Sequence, residues 1–182
     1  MSTTHTDQSQ VKPKAPKVKE LVESTQSLIL ATVDAEGNPV SSYAPFVLID
    51  GSFYIYVSYM AKHTKNLQDR KKASVMFIED EVAGKQIYAR TRLTMNSEAN
   101  LIEKENPLFA QAIDGLKERH GKVVDVLAEM TDFVLIELKP QRGAYVNGFG
   151  SAYFIDSNLE VIDQNTGEQG GHGHVASPEQ KN

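Results

Sequence analysis

Three β-rich runs separated by turn residues are the feature that most constrains how this chain can fold. The runs cover residues 28–33, 43–49 and 53–57. Glu-Gly-Asn-Pro at 36–39 and Asp-Gly at 50–51 lie between them, and both are typical of hairpin turns. The runs are apolar at both alternating positions, which is typical of a sheet that curls and buries both faces. We therefore expect an antiparallel three-stranded meander within a barrel.

The rest of the chain alternates between helical and strand patterns. The predicted elements are a helix at 17–26 after Pro16, a polar helix at 61–72, strands at 73–80 and 85–99, a helix from Pro107 to His120, a second apolar stripe through Val123, Val124, Leu127 and Met130, and a strand at 132–155 interrupted at Pro140 and Gly143. This order indicates the α+β class, as an antiparallel β-barrel with flanking helices.

Composition bounds the domain organisation. The chain has 182 residues, of which 40% are apolar, and these values favour a single domain with a real core. We expect that domain at 17–160, after a disordered tail at 1–16 and before a flexible segment at 161–182.

Composition also restricts the compartment and the partners. The chain has no cysteine, which excludes disulfides and cysteine nucleophiles and favours the cytoplasm. It has neither a signal-peptide pattern nor the ~18 consecutive apolar residues that a membrane span needs, so no membrane insertion is expected. A net charge of −5 argues against nucleic-acid binding, since that function needs a basic surface.

Two arginines stand out in the predicted strand at 85–99. Side chains alternate between the faces of a strand, so Tyr88, Arg90 and Arg92 are predicted to share one face. Two guanidinium groups on one face repel unless an anion compensates them, and their forked donors suit phosphate or propionate groups. The alternative is a surface pair bound to local carboxylates.

Several single residues could serve a site or serve the fold. His63 begins a polar helix, where a neutral imidazole can bind either the backbone or a ligand. His120 ends a helix before Gly121, which is typical of a structural role. Asp132 precedes an apolar strand and could cap it, or could accept the N–H of a metal-bound imidazole.

Glycines flank the last two candidate groups. Phe149 lies between glycines in a strand context, where a flat ligand could approach the backbone or a bulge could form. His172 and His174 lie in the stretch GGHGH at 170–174. By composition that stretch is either a solvated tail or a flexible arm carrying a ligand. No nucleophile elbow, Walker sequence or HExxH motif is present.

Five ordered fragments resemble a known family. They are LATVDAEGNPVSSYAPF, YMAKHTKNL, ASVMFIEDE, YARTRLT and NGFGSAY. Together they resemble the HugZ/HutZ-type haem-utilisation proteins, a branch of the pyridoxamine 5′-phosphate oxidase-like split-barrel group. The resemblance covers roughly residues 17 to 175, and SSYAPF with ARTRLT is its most specific pair.

The resemblance implies a homodimer of split β-barrels that binds haem in a cleft between protomers. Members degrade haem oxidatively with dioxygen and electrons, here from an unidentified donor, and release iron. The family's iron ligand is a histidine that follows a glycine in the C-terminal segment; His172 matches that position best and His174 is a near substitute.

Further site residues are also implied by the resemblance. Arg92, and less closely Arg90, match a basic strand near the haem propionates, while Asp132 and His63 match polar positions of the same cleft. Tyr43 and Phe149 are taken as further cofactor-binding candidates.

Two alternative functions stay open at this point. A haem storage or delivery protein would need the same ligand without turnover. An FMN-binding oxidoreductase, as in the wider split-barrel group, could hold the flavin phosphate with Arg90 and Arg92 and would not need the tail histidines.

Overall fold

A computed structural model describes residues 16–84, 86–149 and 151–164. The helices are α1 (Val18–Ser24), α2 (Lys62–Arg70), α3 (Pro107–His120) and α4 (Val123–Ala128), with a short 3₁₀ helix at Ile87–Ala89. The strands are β1 (Ser27–Val33), β2 (Pro39–Pro45), β3 (Val47–Ile49), β4 (Ser52–Ser58), β5 (Lys72–Ile78), β6 (Arg92–Ile102), β7 (Phe133–Val146), β8 (Ala152–Ile155) and β9 (Val161–Gln164).

The strands form one antiparallel sheet that curls into a half-open barrel. Their order is β2-β1-β5-β6-β7-β4-β3, and β8 and β9 extend the sheet from β7. The first half of β7 pairs with β4 and its last residues pair with β8, while β6 follows it along nearly its whole length. A long strand with different neighbours at its two ends bends the sheet, and this confirms the predicted α+β split-barrel class.

The barrel interior and the outer helical layer are separate apolar clusters. Phe46, Phe53 and Phe77 lie at the centre of the interior, with ring centroids 4.9–5.9 Å apart. On the other side of β4, Tyr56 and Leu135 pack against α3 and α4. Six consecutive residues of β4 are buried because this strand has a packed layer on each face.

The predicted meander is wrong, although both predicted turns are confirmed. Residues 43–49 form two strands, because Pro45 ends β2 and Phe46 turns fully into the core. A proline has no backbone N–H with which to continue a ladder. β1 and β2 therefore form one hairpin and β3 and β4 another, at the opposite edge of the sheet.

The predicted strand at 85–99 is wrong in its first part. The chain is a 3₁₀ helix at Ile87–Ala89, and β6 begins only at Arg92. The Gln86 side chain accepts a hydrogen bond from the Tyr88 N–H at 3.4 Å, which favours the turn over an extended strand. Tyr88, Arg90 and Arg92 therefore do not alternate along one strand.

The predicted interruption at Pro140 and Gly143 is also wrong, since β7 continues through both residues. Pairing with β4 ends at Leu138 and pairing with β8 starts at Gly143, so Pro140 lies where β7 has a neighbour on one side only. Proline is tolerated at such positions. At Gly143 an added Cβ would lie 2.1 Å from the Met95 sulfur, so the crossing of β6 and β7 requires glycine.

The predicted domain boundaries lie close to the ends of the described chain. Strand β9, at Val161–Gln164, pairs with β8 just beyond the predicted boundary at residue 160. The predicted tail at 1–16 lies outside the described residues except for Pro16, and so does the C-terminal segment after residue 164. Among the helices of the described ranges, none is long and apolar enough to cross a membrane.

Candidate functional site

A polar cluster forms where β4 ends and β7 begins, and Asp132 lies within it. The Ser58 hydroxyl donates to Asp132 Oδ2 at 2.7 Å, and the Tyr59 N–H donates to the Asp132 carbonyl at 2.7 Å. The Met60 N–H donates to Ser58 Oγ at 3.1 Å, and the Thr64 hydroxyl donates to the Ser58 carbonyl at 2.7 Å. Ser58 thus joins Asp132 to the first turn of α2.

Ser58 has a central place in this cluster that the sequence analysis missed. It is the last residue of β4 and pairs with Phe133, the residue after Asp132. Serine is common at the polar end of an apolar strand, so the residue type alone did not indicate a role in the site. Its proximity to Asp132 follows from the β4–β7 pairing, which a single sequence does not reveal.

Asp132 is half-buried and has an uncommitted carboxylate oxygen. Ser58 occupies Oδ2, and no side chain or backbone group of the described chain donates to Oδ1. The charge of Asp132 also acts on Tyr56, whose phenol pKa is raised by burial and, second, by this carboxylate. A carboxylate that is oriented through one oxygen can accept an imidazole N–H through the other.

His63 lies in the same region, at the first turn of α2. Its Nδ1 is 2.9 Å from the Ser42 hydroxyl on β2, and its Nε2 is buried without a partner among the described residues. Burial lowers the pKa of the imidazole, which favours its neutral form. Asp132 is connected to the same turn of α2 through Ser58, which accepts a hydrogen bond from Thr64, the residue after His63.

The Arg90 side chain binds residues of the loop in which it lies. Its Nε donates to the Glu79 carbonyl at 2.9 Å, its Nη2 donates to the same oxygen, and its Nη1 forms a 3.0 Å ion pair with Glu81. The predicted pair of arginines on one strand face is wrong, because the backbone turns between them. For Arg90 the alternative of a pair with local carboxylates is the observed arrangement.

Arg92 is the arginine that starts β6. Its Nη1 donates to the Arg90 carbonyl at 3.2 Å, and the side chain is half-buried. None of the ion pairs among the described residues includes Arg92. Arg92 is therefore better placed than Arg90 to bind an anionic group.

A cleft opens beside the start of β6, on the outer face of the sheet. Its volume is about 1080 Å³, and the side chains of Ile29, Met76 and Ile78 lie along it. The connection from α1 to β1 and the loop between β5 and β6 form its walls, and Arg90 is one of its lining residues. A cleft of this size is at the upper end of ordinary ligand sites.

Tyr43 and Phe149 are exposed. Tyr43 is 68% exposed and pairs with Ile29 across the outer sheet face, so it lies near the cleft. Phe149 is 74% exposed in the connection between β7 and β8, where the Asn147 N–H donates to the Ser151 carbonyl and closes a hairpin. Neither ring packs in the core of this chain.

The predicted site residues fall into two groups. Asp132 immediately precedes β7, and Ser58 and Thr64 connect it to the first turn of α2, where His63 lies. Arg92 pairs with Val146 at the end of β7. Strand β7 is 14 residues long, which is a contour of about 45 Å at the usual rise per residue. The two groups therefore lie at opposite ends of a long strand, and neither Asp132 nor His63 lines the cleft beside Arg90.

Of the other candidate histidines, one has a structural role and two lie outside the described residues. His120 Nε2 is 3.0 Å from the Phe46 carbonyl, which confirms its structural role at the end of α3. His172 and His174, the predicted iron ligands, lie outside the described residues. Within the described ranges, no group of three or more His, Asp or Glu side chains could hold a metal ion.

Comparison with known proteins agrees with the fold. The family model described as pyridoxamine 5′-phosphate oxidase matches residues 15–147. HutZ of Vibrio cholerae, named a heme oxygenase, is 40% identical over 148 residues, which are 81% of this chain and 84% of HutZ.

Solved structures give the same result. A structure of Vibrio cholerae HutZ, described as a heme storage protein, has a TM-score of 0.66 at 40% identity and covers 69% of this chain and 89% of its own. ChuZ of Campylobacter jejuni has a TM-score of 0.75 at 31% identity, and the match covers 86% of this chain and 64% of ChuZ. The chain belongs to the pyridoxamine 5′-phosphate oxidase family, and within it to the group that contains HutZ, as its sequence motifs predicted.

Proposed function

We propose that this protein binds haem and degrades it oxidatively, with dioxygen and an external electron donor, so that iron is released. The observation that carries the proposal is the 40% identity to HutZ, named a heme oxygenase, over 81% of this chain. The polar cluster around Asp132 supports it, because a haem-degrading site needs groups that orient an axial ligand.

The outer face of the sheet fits a flat, largely apolar ligand. The cleft has Ile29, Met76 and Ile78 along its floor, and Arg92 starts the neighbouring strand β6. Haem needs an apolar surface for the macrocycle and cations for the propionates. We assign Arg92 to a propionate and Tyr43 and Phe149 to contacts with the macrocycle edge.

Bound haem would itself supply oxygen activation at its iron. The protein's contribution is to hold and orient it. We propose that His172 or His174 ligates the iron and that Asp132 Oδ1 accepts the other N–H of that imidazole. Ser58 holds Asp132 Oδ2 at 2.7 Å and so fixes the direction in which Oδ1 points. His63 contributes a neutral imidazole to the same site.

We also propose that the active form is a homodimer with the haem cleft between protomers. A row of cross-strand neighbours crosses the outer sheet face, and three of its members, Tyr43, Ile29 and Phe154, are 37–68% exposed. Exposed apolar surface of this kind is typical of interfaces. Because Asp132 and Arg92 lie at opposite ends of β7, a second copy would bring one copy's Asp132 to the other's Arg92. We also propose a cytoplasmic location, as expected from the sequence.

Haem storage or delivery without turnover is the second candidate function. It is favoured by the description of the Vibrio cholerae HutZ structure as a heme storage protein. FMN binding is the third, because the family model is that of pyridoxamine 5′-phosphate oxidase.

One assay separates the three. Purified protein is titrated with haem, and its optical spectrum is followed after adding ascorbate in air, with catalase present to remove free peroxide. Degradation predicts loss of the Soret band, a biliverdin-like product and iron that a ferrous chelator captures. A stable Soret band would contradict degradation and favour storage. A yellow protein that purifies with flavin absorption and does not bind haem would favour FMN.

A further inference from the structure

Asp34 is a buried carboxylate that neither the sequence analysis nor the proposed function uses. It lies in the turn between β1 and β2, and the residue is only 4% exposed. Its Oδ1 accepts the Asn38 N–H at 2.8 Å, and its Oδ2 accepts the Lys62 ammonium at 2.9 Å. Lys62 is the first residue of α2 and the neighbour of His63. The carboxylate thus joins the β1–β2 turn to the start of α2.

The other end of α2 is fixed to the same turn. Arg70 Nη2 donates to the Asp34 carbonyl at 3.1 Å and to the Ala35 carbonyl at 2.7 Å. In the middle of the helix, the Asn66 amide donates to the Thr32 hydroxyl at 2.9 Å, and both residues are buried. The turn therefore binds α2 at its first and last residues.

Apolar packing alone does not fix α2. Of its nine residues only Leu67 is a buried apolar side chain, and the other two buried residues are Thr64 and Asn66. Burial of one leucine is non-directional and tolerates sliding or rotation of a helix. Hydrogen bonds at three places along the helix remove that freedom, because each has narrow distance and angle limits.

The unpaired nitrogen of His63 shows that this position is imposed. His63 Nε2 is buried without a partner in the ranges that the structure describes, and a buried polar atom without a hydrogen bond is unfavourable. A free helix would rotate to expose or pair this atom. The bonds of Lys62 to Asp34 in the turn and of Asn66 to Thr32 in β1 resist such a rotation, together with the bond of Thr64 to Ser58, since Lys62 and Asn66 lie one residue before and three residues after His63.

We propose that Asp34 is a positioning residue: through Lys62 and the start of α2 it holds His63 against Ser42, and holds Thr64 against Ser58 and so against Asp132. The inference rests on the proposed function in one respect, namely that His63 and Asp132 serve the haem reaction. The positioning itself is a property of the haem-free chain and can be measured there.

The test uses two variants and two matched controls in the full chain. Asp34→Asn removes the charge and keeps the shape, while Lys62→Met removes the partner and keeps the turn bond from Asn38. Asp156→Asn is the control for the first, since Asp156 Oδ1 accepts the Asn158 and Glu160 N–H groups in the β8–β9 turn, away from α2. Lys65→Met is the control for the second, because Lys65 is exposed on the same helix and forms none of the ion pairs found among the described residues.

The first readout is the pair of imidazole nitrogen resonances of His63 in haem-free protein, assigned with His63→Gln. We expect Asp34→Asn and Lys62→Met to shift both resonances toward the mixed tautomers of a free imidazole, and the controls to leave them unchanged. If either variant left the His63 resonances as in the native protein, the positioning role would be wrong. Lys62→Met keeps this test valid even if Asp34→Asn does not fold.

The second readout is the rate of Soret loss with reductant in air. We expect both variants to slow it by about tenfold, as is usual when a residue supporting a site residue is removed, and the controls to retain the native rate. Shifted resonances with a native rate would overturn the link to the reaction. If His63→Gln or Asp132→Asn itself had no effect, the proposed roles of those residues would fail while the resonance result for Asp34 would stand.

Discussion

The two ends of β7 hold the two halves of the candidate site, and they differ in how their polar groups are committed. At the start of the strand, Asp132 is oriented by Ser58 through one oxygen, and no group in the described part of the chain donates to the other. Near its end, Arg90 is committed to Glu79 and Glu81 within its own loop. A residue type predicts what a side chain can do, but its local partners decide whether it is available to a ligand.

The two ends also differ in what surrounds them. Asp132 belongs to a region in which three hydrogen bonds join the end of β4 to α2 and to the residue before β7, and a fourth closes the turn after β4. Arg92 pairs with Ile78, which lines an open cleft together with Ile29, Met76 and a larger number of polar residues. The first end is suited to orienting a ligand, and the second to accommodating its bulk. A complete site needs both, which is the physical reason for placing it between two copies.

Removing His172 and His174 tests whether the start of β7, where Asp132 lies, orients an iron ligand. We expect this change to have the largest effect of the substitutions proposed. His172→Ala with His174→Ala should abolish the ligated haem spectrum, because the proposal assigns the iron ligand to these two residues and the other imidazole of the site, that of His63, is hydrogen-bonded to Ser42. The two single variants then identify the ligand. His5→Ala is the control. A native haem spectrum in the double variant would contradict the assignment.

Asp132→Asn tests whether the Asp132 carboxylate itself orients the iron ligand. The amide can still contact Ser58, but it is a weaker acceptor for an imidazole N–H, so we expect haem degradation to slow by roughly 10- to 100-fold. Haem affinity should change less than the rate. Asp69→Asn, at an exposed position of α2, should leave both unchanged. An equal loss in the two variants would mean that charge alone, and not the position of Asp132, is responsible.

Arg90→Gln and Arg92→Gln sharpen the contrast at the other end. Arg90→Gln should lower the free energy of unfolding by about 1 to 3 kcal/mol, because it leaves the Glu79 carbonyl without its charged donor. Arg92→Gln should weaken haem binding several-fold and leave stability near native. Urea unfolding and haem titration of both variants measure the two effects. The reverse pattern would assign the propionate contact to Arg90.

Acid unfolding gives the smallest expected effect and concerns the turn that supports the Asp132 end. The Lys62 ammonium and the Asn38 N–H lower the pKa of Asp34 from 3.8 to about 2. A carboxyl group with a lowered pKa in the folded state stabilises the fold above pH 3.8, and this contribution is lost as the pH falls toward 2. Asp34→Asn should therefore lose less stability than the native protein over that interval. Urea midpoints at pH 5, 4, 3 and 2 test this, with Asp156→Asn following the native curve.

Sequence reasoning identified the class of fold because hairpin turns and two-sided apolar strands are local signals. Asp50-Gly51 is an example, since both residues have positive φ, as a tight hairpin turn requires. Sequence reasoning failed where contacts between residues that are distant in the sequence determine the local structure. Pro45 and Phe46 send the chain to the other edge of the sheet, and the Glu79 carbonyl holds Arg90 in a loop.

Only part of the candidate site could be predicted from the sequence. Asp132 and His63 were chosen from their family positions, and the structure connects Asp132 through Ser58 and Thr64 to the turn of α2 that contains His63. Ser58 and Asp34 were missed, because their importance depends on the pairing of β4 with β7 and on the packing of α2 against the β1–β2 turn. Neither arrangement leaves a pattern in a single sequence.

Mixed dimers test most directly the claim that one site takes Asp132 from one copy and Arg92 from the other. Asp132→Asn and Arg92→Gln chains carrying different affinity tags are mixed, and dimers containing both are isolated. In such a dimer one site has both substitutions and the other has neither. We predict that, at a haem concentration too low to saturate the Arg92→Gln parent, haem degradation per dimer returns to about half of the native rate, although each parent variant is slow under these conditions. Mixed dimers as slow as the parents would place both residues in a site within one chain and contradict the account.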